Sequence, residues 1–86
     1  MYQEDLRKLR LFLRELCKRY NINFTLCIEE CKSSFDVKEE IQLRIKDNEE
    51  QLFYSEIPIC PVTNTMIEDT IRDLRIVFKY PSSDIQ

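Results

Sequence analysis

The chain contains no glycine. Glycine enters the left-handed backbone region without steric cost, so every tight turn and helix stop in this protein must be built from another residue. Asparagine tolerates that region best among the residues with a Cβ. Two asparagines stand where the pattern needs them. Asn21 follows a long amphipathic segment, and Asn48 lies in Asp47-Asn48-Glu49-Glu50, between two alternating stretches. The same absence excludes glycine-rich phosphate loops and dinucleotide fingerprints. Histidine is also missing, which removes the commonest general base and metal ligand near neutral pH.

Residues 4–20 place Leu6, Leu9, Leu13, Leu16, Cys17 and Tyr20 at three- and four-residue spacing, which predicts a helix with one apolar stripe. Glu4 and Asp5 suit its positive end, and Lys18 and Arg19 its negative end. Asn21 then closes it in place of glycine. Residues 22–29 alternate, with Ile22, Phe24, Leu26 and Ile28 on one side, and read as a half-buried strand. Residues 30–36 are a loop. Residues 37–46 alternate again: Val37, Ile41, Leu43 and Ile45 face in, while Lys38, Glu40, Gln42, Arg44 and Lys46 face out.

After the acidic turn, residues 51–57 form a third strand. Leu52 and Tyr54 compete with Phe53 and Ile57 for its inner side, and Pro58 and Pro61 end it. Thr65 and Glu68 fit a capping box, with Thr63 and Asn64 as rival caps. Residues 66–79 follow as a second helix, with Ile67, Ile71, Leu74 and Phe78 inward and Met66, Thr70 and Val77 beside them. Pro81 stops it, and residues 82–86 read as a loose tail.

The expected fold is α+β: a single domain over residues 1–86, a two-layer sandwich of helix, three-stranded antiparallel meander and helix (αβββα). Both helices cover one sheet face and the other stays polar. No apolar run approaches the roughly 18 residues of a membrane span, and no secretory apolar segment opens the chain. The expected location is therefore the cytoplasm, with no membrane partner.

Net charge is −3, unevenly spread. Residues 1–28 hold six basic and three acidic side chains; residues 29–56 hold four basic and nine acidic ones. The four cysteines, Cys17, Cys27, Cys31 and Cys60, lack the spacing of paired zinc knuckles and read as reduced thiols. No metal or cofactor is expected. Nor is catalysis: without histidine no Ser-His or Cys-His nucleophile can be built, and the adjacent pairs Glu29/Glu30 and Glu39/Glu40 split across opposite strand faces.

Two charged surfaces remain. Arg7, Arg14 and Lys18 flank Leu11 on the outer side of the first helix and suit phosphates. The double-stranded-RNA-binding domain shares this element order, but its second helix opens with phosphate-binding lysines. Here that position carries Glu68 and Asp69, which disfavours direct nucleic-acid binding. The sharper surface is acidic: Asp47, Asn48, Glu49 and Glu50 at the turn, with Glu29, Glu30, Glu39 and Glu40 on the flanking strands. Carboxylates on a rigid hairpin can stand in for phosphates and engage Arg and Lys of a partner.

The hairpin EIQLRIKDNEEQLFYSE, within this layout, resembles small phage-encoded anti-CRISPR proteins that inhibit Cas9. In that group an acidic, Asn/Asp-containing turn occupies the site where Cas9 reads the duplex motif beside its target. The matching positions are Asp47, Asn48, Glu49 and Glu50. The chain departs from the group in lacking its turn glycine and in having a more basic first helix. The resemblance implies a non-enzymatic inhibitor acting in the host cytoplasm, with an acidic hairpin as DNA mimic and a nucleic-acid-binding host protein such as Cas9 as partner. The alternatives are a small RNA- or DNA-binding domain using Arg7, Arg14 and Lys18, or a homo-oligomeric piece that self-pairs through the third strand, Leu11 and Phe35.

Overall fold

The structure, a computed structural model, describes residues 2–31 and 36–80. The elements run α1 (Gln3–Tyr20), β1 (Asn23–Glu30), β2 (Glu39–Asp47), β3 (Glu50–Pro58) and α2 (Thr63–Val77). The three strands form one antiparallel sheet in the order β1-β2-β3. Both helices lie on one sheet face, so the expected two-layer α+β sandwich is the observed one. Its smallest dimension is 17 Å. Residues 32–35, including Phe35, and the tail at 82–86 fall outside the described residues.

The core follows from the two periodicities. Leu9, Leu13 and Leu16 of α1, Ile41, Leu43 and Ile45 of β2, and Ile67 and Leu74 of α2 have no solvent exposure. Burying each such side chain is worth about 1.5–3 kcal/mol. β2 is the central strand, so its apolar residues are covered by a neighbour on each side as well as by the helices. Phe24, Leu26 and Ile28 of β1 pair with Ile45, Leu43 and Ile41, and Phe53, Ser55 and Ile57 of β3 complete the same face. That settles the third strand: Phe53 and Ile57 point inward, and Tyr54 points to the open face.

A bulge explains the rival signal of Leu52. Ile45 pairs with Phe53 but Lys46 pairs with Gln51, leaving Leu52 as an extra residue on β3. The extra residue breaks strict alternation and lets Leu52 pack partly against the core.

Several expectations are corrected. α2 starts at Thr63, so Thr65 is not its cap, and no side chain caps the helix. Thr63 is instead a buried tie, 1% exposed. Its hydroxyl lies 2.8 Å from the carbonyl oxygens of both Pro58 and Cys60, and accepts the Cys60 N–H at 2.6 Å. Proline-rich connections leave carbonyls without ladder partners; the Thr63 N–H bonds the Cys60 carbonyl at 3.1 Å, which leaves the single hydroxyl proton for the Pro58 carbonyl. α2 ends at Val77, before Lys79. The Lys79 N–H bonds the Ile76 carbonyl at 3.3 Å and the Tyr80 N–H bonds the Arg75 carbonyl at 2.9 Å, a Schellman closure with Lys79 at φ 51. Val77, expected beside the inner face, is exposed.

Tyr20 lies at the rim, not in the core. Its hydroxyl donates to the Phe78 carbonyl at 3.1 Å, and its ring stands 6.1 Å from Phe78 and 6.5 Å from Tyr80. Phe12, which the stripe omitted, packs edge-on against Tyr80 at 5.3 Å and beneath the Arg75 guanidinium. Asn21 closes α1 as expected, at φ 56 and ψ 47, with its N–H bonded to the Cys17 carbonyl.

Candidate functional site

Asp47, Asn48, Glu49 and Glu50 form the β2–β3 turn, and all four are exposed. Asp47 pairs with Glu50 and Asn48 takes φ 59, so the turn is made without glycine. Among the described residues, Asp47, Glu49 and Glu50 have no ion-pair partner. Three carboxylates therefore stand unneutralised, one on the two-residue loop and one at each strand end that holds it.

The other four predicted acids do not join them. The β1–β2 register sets Glu29 opposite Glu40 and Glu30 opposite Glu39, at the far end of the sheet from the turn. From Glu40 to Asp47, at about 3.3 Å per residue, the two groups are roughly 23 Å apart. The expected single acidic surface is thus two. The sequence also hid the convergence within the second group: neighbours along a strand diverge, but cross-strand partners share a face. Glu29 and Glu40 point to the open face, and Glu30 and Glu39 to the helix side.

Glu40 is the main correction. It is only 8% exposed and unsuited to meet a partner directly. The Gln42 amide donates to its Oε2 at 2.9 Å. That bond, helped by a hydrogen bond with the Cys31 thiol, holds its carboxyl below the ordinary carboxylate value, while desolvation opposes the shift. Glu40 is a structural part of a polar open-face network that the sequence reading missed. The network continues through Tyr54, whose hydroxyl donates to Glu56 Oε2 at 2.7 Å. This bond to a carboxylate raises the Tyr54 phenol above its ordinary value. The Arg44 guanidinium stacks over the Tyr54 ring at 5.0 Å. The signal for it was alternation: Glu40, Gln42, Arg44 and Tyr54, Glu56 are the outward residues of paired strands.

On α1, Arg7, Arg14 and Lys18 are exposed, and Leu11 between them is 53% exposed. The basic stripe exists as expected. Cys17 is buried and its thiol is pushed up by desolvation, while Cys27, Cys31 and Cys60 are half-buried thiols. Among the described residues no three His, Cys, Asp or Glu side chains converge on a metal position. No helix among them is long and apolar enough to cross a membrane. No protein-family model, no curated protein and no solved structure matches this chain, so any functional reading rests on its own residues.

Proposed function

We propose that this chain is a small non-enzymatic protein-binding domain that inhibits its partner by covering a basic, nucleic-acid-binding surface. The observation that carries the reading is the β2–β3 turn, where Asp47, Glu49 and Glu50 are exposed and without ion-pair partners among the described residues. Unpaired like charges repel and cost stability, so a turn that keeps them is suited to a partner bringing Arg and Lys. Asn48 fixes the turn, and Glu30 and Glu39, which share the helix side at the other end of the sheet, form a second acidic contact, apart from Glu29 on the open face. The resemblance to anti-CRISPR proteins supports a phage origin, action in the host cytoplasm and a partner of the Cas9 kind.

The experiment is a binding titration against guide-loaded Cas9 at two salt concentrations. The wild type is run beside the triple variant Asp47→Lys/Glu49→Lys/Glu50→Lys, with target duplex as competitor. The reading expects tight binding, competition by the duplex, at least about tenfold loss in the triple variant and weakening by added salt. Equal binding by the triple variant would remove the turn from the mechanism. Binding of duplex RNA or DNA by the chain itself, lost on changing Arg7, Arg14 and Lys18, would replace it with the nucleic-acid-binding alternative.

A further inference from the structure

We propose that the outer edge of β1, unpaired among the described residues, pairs with the same edge of a second copy, joining two sheets into one antiparallel six-stranded sheet about a twofold axis. The two outer strands of the sheet are not alike. β3 carries a bulge at Leu52 and ends at Pro58, both devices that blunt an edge. β1, NFTLCIEE, is regular in register, has no proline, bulge, lysine or arginine, and leaves Ile28 44% exposed on the helix side. Beside Ile28 an open groove runs between the sheet edge and α1, lined by Leu6, Arg10 and Leu26.

The backbone dictates how a second copy would sit. The Cys31 N–H bonds the Lys38 carbonyl at 2.8 Å, which continues the β1–β2 ladder. In an antiparallel ladder bonded positions alternate, so odd-numbered β1 residues bond β2. Phe24, Leu26, Ile28 and Glu30 therefore turn their N–H and C=O groups outward. A twofold axis at Leu26 bonds Leu26 to its own copy and Phe24 to Ile28 of the second copy. This covers the exposed Ile28 with an aromatic ring.

Charge selects the same antiparallel arrangement. It carries Glu29 of each copy to Asn23 of the other, whose β2 neighbour is Lys46. It carries Glu30 to Ile22, beside the last turn of α1 with Lys18 and Arg19. Each acidic strand end thus meets the basic end of the opposite sheet. A parallel pairing would instead stack the acids on one another.

The same register sets Thr25 opposite Cys27 of the second copy as a non-bonded pair, with Cα atoms about 4.5 Å apart, within disulfide range. The test is sedimentation equilibrium on the wild type, Ile28→Pro and Gln51→Pro, with circular dichroism to check folding. A cross-link assay on Thr25→Cys follows. The Ile28 proline removes an outward-facing N–H and leaves the β1–β2 ladder intact, and the Gln51 proline stands at the bulge of the opposite edge strand. The expected results are a dimer for the wild type and Gln51→Pro, half that mass for folded Ile28→Pro, and a reducible covalent dimer of Thr25→Cys on mild oxidation. A monomeric wild type, dissociation by Gln51→Pro in place of Ile28→Pro, or a Thr25→Cys protein no more cross-linked than the wild type would overturn the proposal.

Discussion

Replacing Lys79 by glycine should leave this protein more stable than replacing it by alanine. Lys79 holds φ 51 at the end of α2, where its N–H and that of Tyr80 close the helix. A side chain with a Cβ in the left-handed region costs about 1–2 kcal/mol. Glycine removes that cost but brings about 0.5–1 kcal/mol of extra unfolded-state entropy. Both substitutions also lose a favourable cation near the negative helix end, worth about 0.3–1 kcal/mol when exposed. Comparing the two variants cancels this last effect. Lys79→Gly should therefore exceed Lys79→Ala by about 1 kcal/mol, which in a domain of this size is about 4–8 °C in Tm. The assay is paired thermal melts followed by circular dichroism, with urea midpoints as a check. Asn48→Gly gives an internal scale: asparagine already tolerates φ 59, so its gain should be a few tenths of a kcal/mol at about the lower limit of detection. An alanine variant at least as stable as the glycine variant would show that the left-handed closure does not persist in solution.

Tyr54 should titrate above its ordinary value of 10.0, because ionising it breaks the bond to the Glu56 carboxylate. A raised phenol contributes stability below its unfolded value and loses it as pH climbs through the folded one. Glu56→Gln should therefore move the tyrosinate absorbance transition at Tyr54 downward, and an unmoved transition would break the assignment. Cys17 should be the slowest of the four thiols toward a disulfide reagent under native conditions. Burial raises its pKa and shields it, whereas Cys27, Cys31 and Cys60 are half-buried. Fast modification of Cys17→Ser and wild type with the same number of rapid equivalents would support this; one fewer in the variant would refute it.

The elements and their order were legible because each apolar stripe has one clear period. Leu9, Leu13 and Leu16 repeat as a helix, and Ile41, Leu43 and Ile45 as a strand. What failed was whatever depends on two segments at once. The pairing of Glu29 with Glu40 requires a register, and the loop at 30–36 can take up any number of residues without changing either strand's own pattern. The burial of Glu40 requires knowing that Gln42 and Cys31 supply its hydrogen bonds. The start of α2 was misread because Thr65 and Glu68 make a good local box, while Thr63 gains more from the carbonyls of Pro58 and Cys60. Leu52 and Phe53 could not be ranked without the bulge.

The meeting of Tyr20 and Phe12 with Phe78 and Tyr80 has a consequence for how the chain comes into being. These contacts join the first element to the last, across 58 residues in the case of Tyr20 and Phe78. During folding, α1 and the meander can form before the helix that covers them both has docked. The hairpin can close locally, but its apolar face and the stripe of α1 must wait for α2. A chain shortened before Leu74 would expose both, so this small domain completes its core only when its second helix docks.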